Sequence, residues 1–347
     1  MNTNLNINIA KDEYGNDLVI DLSVTKYLLI AGNAGSGKST LLHNILSKLL
    51  STNSPSDLKL ILIDPKQVEL NAYKDVPHLL TPVITETKKA ILAMKWSIKE
   101  IDRRHDLLKD ENCKDITNYQ GQEYMPRIVI VIDEFSDLML AYPKETEPLV
   151  QKIAQMGHVV GIHIVLATSQ SGPKVLTKSI RDAISARIAL QTSTAQDSKA
   201  IIGTDGACLL RRDGDILYRD GMKYIIHGQA DFVSYEDVKT LCESIKESYK
   251  ESNFVEMPVT EPQPGRNSIF DGVEEFSDET GDELYDEARE LVIAARKAST
   301  SYLQRRLKVG YARAAGLIDM LEERGVIASG SGAAPRKVLP NNPDQNK

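Results

Sequence analysis

The 347-residue sequence is poor in cysteine, and this shortage excludes several kinds of structural support. It contains three cysteines, Cys113, Cys208 and Cys242, and their spacing matches no metal-binding pattern. A disulfide framework and a zinc site are therefore not expected, and so few thiols suit a reducing compartment. We interpret each cysteine as a small apolar residue of a buried core.

Long apolar runs are absent as well. No stretch of 18 or more consecutive apolar residues occurs, and the polar start "MNTNLNINIAKDEYGNDL" lacks the apolar centre of a signal peptide. We therefore predict a cytoplasmic protein without a membrane segment. The composition, 41% hydrophobic and 26% charged, is ordinary for a globular protein, and the length favours two domains.

The net charge of −7 is distributed unevenly along the chain. Residues 251–287 contain 12 acidic residues and one basic residue, whereas residues 288–347 contain 11 basic and five acidic residues. Because local charge decides what a surface attracts, the basic end remains suited to nucleic acid. The acidic stretch includes "EMPVTEPQPG", whose prolines and scarce apolar residues prevent it from forming a core. We predict a flexible linker at residues 251–281 and a disordered tail at 333–347.

Five apolar runs alternate with helical patterns from residue 27 to about residue 235, within a first domain that we predict at residues 1–250. The runs are "YLLIAG", "LKLILIDP", "RIVIVIDE", "GIHIVLATS" and "ARIALQT". Strands that are apolar at nearly every position are buried on both faces, which is typical of parallel sheets covered by helices. The pattern predicts a doubly wound α/β domain with a mostly parallel sheet and a terminal hairpin around Asp220 and Gly221.

The segment "GNAGSGKS" at residues 32–39 matches the phosphate-binding pattern G-x-x-x-x-G-K-[ST] in full, between a predicted strand and a predicted helix. Glycines let backbone N–H groups surround phosphates, and the helix that follows presents its positive end. Lys38 would neutralise the outer phosphates, and Ser39 would ligate Mg²⁺. The predicted ATP-binding residues are Gly32, Asn33, Ala34, Gly35, Ser36, Gly37, Lys38, Ser39 and Thr40.

Acidic residues end two of the predicted strands. "RIVIVIDEF" ends in Asp133 and Glu134, which suit a magnesium acid and a residue that orients or deprotonates the attacking water. "LILIDPK" ends in Asp64, with Lys66 two residues later. By residue type alone, Asp64 could equally be the magnesium acid.

Together these segments resemble a known family. "LLIAGNAGSGKST", "LIDPKQVELNAYKDVPHLLTPVIT", "MPRIVIVIDEFSDLM" and "ARIALQTSTAQDSKAIIG" are similar to the motor domain of FtsK/SpoIIIE-type DNA translocases. Residues 282–332 resemble the C-terminal winged-helix domain of the same family. The resemblance implies a RecA-like ATPase that forms a ring, usually hexameric, and pumps double-stranded DNA. It also implies that Asp133 is the magnesium acid, and that an arginine acts from the neighbouring subunit. Arg187 is the candidate for that arginine, with Arg181 second; a purely structural arginine is the alternative.

The sequence also departs from the family pattern. Only 31 residues precede Gly32, too few for the family's N-terminal membrane region, so we expect a reduced, soluble relative of the kind found on mobile elements. The family's "ATQRP" is "ATSQS" here, which aligns the usual sensor glutamine with Ser169; a one-residue slip would restore the role to Gln170. Asp197-Ser198-Lys199 replaces "DSR", and the lysine lacks the planar fork that suits phosphate.

The C-terminal module carries the DNA-binding predictions. Leu303, Leu307, Ala314, Leu317, Ile318 and Leu321 have core spacing for a helix-turn-helix. The predicted DNA-binding residues are Arg305, Arg306, Lys308, Tyr311 and Arg313. Ala312 and Gly316 stand where relatives carry polar or basic residues, which predicts a weaker or altered sequence preference. Such a module could instead mediate protein contacts.

Three functions fit these patterns. The first is an ATP-driven translocase of double-stranded DNA. The second is a motor of the same chemistry for conjugation or packaging. The third is a DNA-binding regulator that binds ATP without productive hydrolysis, against which the intact Glu134 argues.

Overall fold

The computed structural model describes residues 3–249 except 26, 122, 185, 213, 222 and 223, and residues 285–307 except 296. It also describes residues 314, 317, 318, 321, 322, 326–328 and 336–338. The chain divides into two compact units, Met1–Glu274 and Glu275–Lys347.

The first unit is a nine-stranded sheet with helices on both faces. Its strands are β1 (Asn6–Asp12), β2 (Asp17–Asp21), β3 (Tyr27–Ala31), β4 (Leu58–Ile63), β5 (Arg127–Ile132), β6 (Ile162–Thr168), β7 (Ala186–Ala189), β8 (Asp215–Asp220) and β9 (Ile226–Gln229). Its α-helices are α1 (Lys38–Thr52), α2 (Thr87–Asp110), α3 (Phe135–Ala141), α4 (Pro143–Met156), α5 (Lys178–Ala183), α6 (Ala195–Ile202) and α7 (Tyr235–Ser248). Short 3₁₀ helices cover Leu70–Tyr73, Gly157–Val160 and Gly206–Leu209.

The sheet is mixed, so the prediction of a mostly parallel sheet is wrong. The strand order is β2-β1-β9-β8-β7-β3-β6-β5-β4. The five strands from β7 to β4 are parallel, and every other pairing is antiparallel. The predicted hairpin around Asp220 and Gly221 is confirmed as β8 and β9, but β1 and β2 were not predicted. Their pattern alternates, with Ile7 and Ile20 buried and Val19 exposed, because only one of their faces is covered.

The parallel strands are buried on both faces, as their continuous apolar runs predicted. On β3, Leu29 belongs to the core under α2 and α4, and Leu28 belongs to the core under α1 and α7. The same alternation continues on β5, where Ile130 and Val129 are at most 1% exposed. Because β3, β4, β5 and β6 are parallel, their carboxyl ends meet at one edge of the sheet, where ligands bind in open α/β sheets.

The second unit has its own small core. The unit contains α8 (Tyr285–Ala295), α9 (Thr300–Leu307) and a two-stranded sheet of β10 (Lys297–Ala298) and β11 (Arg336–Lys337). The predicted core positions are confirmed: Leu307 packs partly buried against the cluster, and the others, Leu303, Ala314, Leu317, Ile318 and Leu321, are buried. β11 falls within the tail predicted to be disordered; it pairs with β10, and Val338 packs on the core.

Arg104, on α2, has the largest fully buried side chain of the described residues. Its guanidinium donates to Glu100 Oε1 at 2.6 Å, to the Pro126 carbonyl at 2.8 Å and to the Val160 carbonyl at 3.0 Å. Burial would raise the pKa of Glu100, but Arg103 and Arg104 outweigh it and hold the pKa below its ordinary value. Arg104 therefore ties α2 to the loops at the amino ends of β5 and β6.

Replacing Arg104 by methionine should destabilise the first unit by about 3 kcal/mol, because a buried carboxylate loses a charge partner and two carbonyls lose a donor. Urea unfolding followed by the fluorescence of Trp96, the one tryptophan of the sequence, measures the change. Lys89→Met is the control: Lys89 pairs with Glu86 at an exposed position of the same helix, and the cost should stay below about 0.5 kcal/mol. Equal costs for the two variants would contradict the role given to Arg104.

Candidate nucleotide site

The loop between β3 and α1 has the curled backbone that phosphate binding requires. Gly37 has φ +98°, a left-handed conformation that a residue with a Cβ rarely adopts. Gly32 is needed for space, since a Cβ there would lie 2.9 Å from both Leu190 Cβ and Ser36 Oγ. The Asn33 amide donates to the Gln191 carbonyl at 2.9 Å, which fixes the loop against the segment after β7. The predicted residues 32–40 are thus gathered at the amino end of α1.

Two features of this loop fit a bound polyphosphate. The hydroxyl of Ser36 is buried, and among the described residues it has no hydrogen-bond partner. Lys38 Nζ donates to the Asn33 carbonyl at 3.0 Å, across the mouth of the loop. Burial lowers the pKa of Lys38, although the nearby carboxylates of Glu134 and Asp133 oppose the shift. An ammonium group held in this way gains when an anion enters the loop.

Asp133, at the end of β5, fits a cation. Burial raises its pKa to about 6, and the negative charges of Asp64, Glu69 and Glu134 add to the shift. The part of the chain that the structure describes gives its carboxylate no side-chain hydrogen bond. A divalent cation held between Asp133 and the Ser39 hydroxyl would relieve this excess of negative charge.

Asp64, the alternative magnesium acid, is occupied by the backbone. Its two carboxylate oxygens accept from the amides of Gln67 at 2.9 Å, Leu70 at 3.0 Å and Glu69 at 3.1 Å. These bonds close the loop that follows β4. The geometry therefore favours Asp133 as the metal ligand, and that assignment stays a prediction.

Glu134 follows Asp133 and is held by several donors. They are Ser136 Oγ (2.6 Å), Ser169 Oγ (2.6 Å), Ser169 N (2.9 Å), Lys66 Nζ (3.0 Å) and Thr168 Oγ1 (3.2 Å). Burial alone would raise the pKa of Glu134, but these hydrogen bonds, from Ser136 and Ser169 above all, lower it to about 2. Ser169, the residue aligned with the family's sensor glutamine, therefore touches the predicted base, whereas Gln170 is exposed.

Sequence reasoning missed Glu69 and His43. His43 lies one turn after Ser39 on α1, and its Nε2 is 3.6 Å from Glu69 Oε2. The pKa of Glu69 lies below its ordinary value because of His43; the Ser39 hydroxyl and Lys38 add to the shift, and burial opposes it. The Ser39 hydroxyl, which is predicted to ligate Mg²⁺, is thus among the groups that stabilise the ionised Glu69 carboxylate. Glu69 lies six residues after the end of β4, in a loop without a recognisable motif. The sequence therefore does not indicate that this loop returns to α1.

Arg187, the candidate for the arginine acting between subunits, is bound within its own chain. Its guanidinium donates to the Ile201 carbonyl at 3.3 Å and to the carbonyl of Arg181. Burial lowers its pKa, and the positive charges of Arg219 and Arg181 add to the shift. These contacts favour the structural alternative, while a role in a neighbouring site stays a prediction.

Asp197, of the predicted segment Asp197-Ser198-Lys199, accepts hydrogen bonds from the hydroxyl groups of Ser171 and Thr194, both at 2.6 Å.

A cavity of about 530 Å³ opens beside the phosphate loop, large enough for the nucleoside part of a nucleotide. The segment before β8 and the segment after β9 form its outer wall. Phe232 lies on this wall and is 80% exposed, so an aromatic face is available to a planar base. The lining residues are Gly35, Gly37, Lys38, Ser39, Thr40, Leu41, Arg212, Gly214, Ala230, Asp231 and Phe232.

The predicted DNA-binding residues are described only in part. Arg306 is exposed on α9, and its guanidinium carbon lies 5.9 Å from the centre of the Tyr302 ring. Lys308, Tyr311 and Arg313 lie outside the described residues, as does the side chain of Arg305.

A complete phosphate loop between a strand and a helix, with two acids at the end of a parallel strand of the same sheet, defines a P-loop NTPase. Comparison with known proteins narrows this class. The FtsK/SpoIIIE family profile matches residues 2–125 and 120–189, and the FtsK gamma domain profile matches residues 279–341. The chain belongs to the FtsK/SpoIIIE family.

Two similar curated proteins carry the name DNA translocase FtsK. The protein from Caldanaerobacter subterraneus subsp. tengcongensis is 41% identical over 339 residues, which cover 96% of this chain and 46% of that protein. The protein from Clostridium tetani is 41% identical over 349 residues, with 97% and 46% covered. The chain spans about half the length of the curated relatives it matches.

Solved structures share the fold of about 70% of this chain. The pCW3 conjugation coupling protein TcpA, in a monomer form with ATPγS, is 25% identical with a TM-score of 0.61, over 70% of each chain. ATPases 2 and 3 of EssC from Geobacillus thermodenitrificans are 19% identical with a TM-score of 0.64, over 71% of this chain and 50% of that one. In the part of this chain that is described, no helix has the length and apolar character needed to cross a membrane.

The substitutions Asp133→Asn and Asp64→Asn should differ in their effects on the free energy of unfolding and on the Mg²⁺ dependence of nucleotide binding. Because the folded pKa of Asp133 is raised, its ionised form costs stability above that pKa, so Asp133→Asn should leave the free energy of unfolding at pH 8 unchanged or higher. It should also remove the Mg²⁺ dependence of nucleotide binding. Asp64→Asn should cost about 2 kcal/mol, because an amide group cannot accept all three backbone bonds.

Urea unfolding at pH 8 and titration of a fluorescent ATP analogue with and without Mg²⁺ check both expectations. Loss of the Mg²⁺ dependence in Asp64→Asn, with that dependence intact in Asp133→Asn, would reverse the assignment.

Proposed function

We propose that this chain is the motor of an ATP-dependent translocase of double-stranded DNA. The observation that carries the proposal is the pair Asp133 and Glu134 at the end of β5, beside Lys38 of a complete phosphate loop. Membership of the FtsK/SpoIIIE family and the name DNA translocase FtsK on its relatives support the DNA substrate. The chain would act in the cytoplasm.

The chemistry follows from the arrangement of the site. The backbone amides of residues 32–40 and Lys38 would bind the ATP phosphates, and the cavity beside them would receive the nucleoside. Ser39 and Asp133 would hold Mg²⁺, which neutralises charge on the phosphate oxygens when bound. Glu134 would orient the attacking water or accept its proton, and Glu69 would position the Ser39 hydroxyl.

The finer parts of the proposal concern assembly and DNA. A ring of six subunits, as the family resemblance implies, would place neighbouring chains next to each nucleotide site. Arg187 or Arg181 would be the arginine supplied in trans. The second unit would be a winged helix that loads or orients the motor, with Arg306 among its DNA contacts. Its family match and its separate core support a distinct module.

A second function has one specific observation in its favour. The coupling protein TcpA shares the fold over 70% of both chains at 25% identity, and this likeness supports a motor of the conjugation type. The ATP chemistry would be the same, and the partner would be the transfer machinery. The third candidate, a regulator without hydrolysis, would leave Glu134 without a use.

Steady-state ATP hydrolysis by the full-length chain, with and without long duplex DNA, tests the proposal. Duplex DNA should stimulate turnover strongly and single strands weakly. Lys38→Ala should reduce turnover about a hundredfold or more, because a positive charge on the transferring phosphoryl group is lost. Tight DNA binding with turnover no higher than that of Lys38→Ala would contradict the motor and favour the regulator.

A further inference from the structure

The loop after β4 folds back onto α1 at Glu69. Ser39 and His43 are four residues apart on α1, so their side chains lie on the same face of the helix. Glu69 packs on that face, since its Oε2 is 3.6 Å from His43 Nε2. The side chain of His43 is 6% exposed and that of Glu69 is 29% exposed. An enclosed imidazole therefore lies behind a carboxylate that still reaches solvent.

Glu69 acts electrostatically on three groups of the nucleotide site. His43 contributes most to keeping the pKa of Glu69 below its ordinary value, and burial opposes the shift. The Ser39 hydroxyl and Lys38 add to the shift. In return, Glu69 is among the carboxylates that add to the raised pKa of Asp133, which burial raises most. Because Ser39 and Asp133 are the predicted Mg²⁺ ligands, the Glu69 carboxylate lies close enough to both of them to affect the cation.

His43 is fixed by aromatic residues on the side away from Glu69. Its Nδ1 lies 3.0 Å from the hydroxyl of Tyr73, which is fully buried. With this hydroxyl as donor, Nδ1 accepts, and the proton of the neutral imidazole lies on Nε2, which faces Glu69. The other tautomer would turn an unprotonated Nε2 toward the carboxylate and is unfavourable. The Tyr235 ring lies edge-on to the His43 ring, with the centres 6.5 Å apart.

We propose that His43 is a positioning residue for the Mg²⁺-nucleotide complex. It keeps the Glu69 carboxylate where it accepts a hydrogen bond from the Ser39 hydroxyl, so that the hydroxyl oxygen directs its lone pairs toward the cation. Tyr73 fixes His43 in turn. The inference rests on the proposed function, because it extends the predicted Mg²⁺ site by two residues that do not touch the nucleotide.

The test is a Mg²⁺ titration of the full-length chain with a fluorescent, non-hydrolysable ATP analogue. His43→Leu should raise the Mg²⁺ concentration at half-maximal binding about tenfold or more, because the partners of a metal ligand typically contribute that much to metal affinity. Binding without Mg²⁺ should change less than about twofold, since the amides of the phosphate loop remain in place. His43→Gln, whose amide can donate to the same carboxylate, should stay within about threefold of the wild type.

Two tyrosines give a matched pair of variants that each lose one buried hydroxyl. Tyr73→Phe removes the hydroxyl that bonds to His43 and should raise the half-maximal Mg²⁺ concentration about threefold or more. Tyr27→Phe removes a hydroxyl that donates to the Ile153 carbonyl at 3.1 Å, at the end of β3 opposite the phosphate loop. It should leave that concentration unchanged, so the pair separates this hydrogen bond from buried hydrogen bonds in general.

A double variant shows whether His43 acts through Glu69. Glu69→Gln should raise the half-maximal Mg²⁺ concentration at least as much as His43→Leu, because it removes the negative charge itself. The double variant should bind Mg²⁺ no more weakly than Glu69→Gln alone, because a residue that acts only through Glu69 then has no carboxylate to position. Urea unfolding measures the stability of each variant.

Three outcomes would overturn the inference. The first is equal weakening of binding with and without Mg²⁺ in His43→Leu, which would mean that the residue supports the shape of the phosphate loop. The second is equal behaviour of Tyr73→Phe and Tyr27→Phe, and the third is additive effects in the double variant. Failure of the proposed function is distinguishable: duplex DNA would then not stimulate ATP hydrolysis by the wild type, while the Mg²⁺ titrations would keep the expected differences.

Discussion

The burial of several carboxylates at one edge of the sheet is the constraint on which the rest of this structure depends. Parallel pairing of β3, β4, β5 and β6 brings Asp64, Asp133 and Glu134 together at their carboxyl ends, and the loop after β4 adds Glu69. Carboxylates this close cannot all remain ionised without compensation. Each is treated differently, and the differences assign their roles.

Three of these acids are compensated within the chain. Backbone amides donate hydrogen bonds to Asp64, and hydroxyl groups and Lys66 donate to Glu134. The His43 ring lies next to the Glu69 carboxylate. Asp133 keeps a raised pKa, beside the amino end of α1 and Lys38. The site is therefore arranged so that a phosphate and its metal ion complete the charge balance, and the nucleotide becomes part of the structure when it binds.

The sequence predicted the parts of the site that are contiguous in the chain and missed those made by tertiary contact. The phosphate loop and the Asp133-Glu134 pair are local motifs attached to strands whose unbroken apolar runs identify them. β1 and β2 were missed because an alternating pattern with one buried face is weaker than a continuous run. The roles of Asp64, Glu69 and Lys66 depend on how the loop after β4 folds back. The hydrogen bond of the Arg187 guanidinium to the Ile201 carbonyl depends on where α6 ends. No sequence motif predicts either contact.

The most direct test of the central claim is the displacement of a third strand from a triplex on long duplex DNA. We expect displacement by the full-length chain to require hydrolysable ATP and to be lost in Glu134→Gln, because force along the duplex comes from turnover at this site. No displacement under conditions where duplex DNA stimulates ATP hydrolysis would contradict translocation. Displacement without ATP would show that binding alone removes the strand, and that the site at the carboxyl edge is not its source of energy.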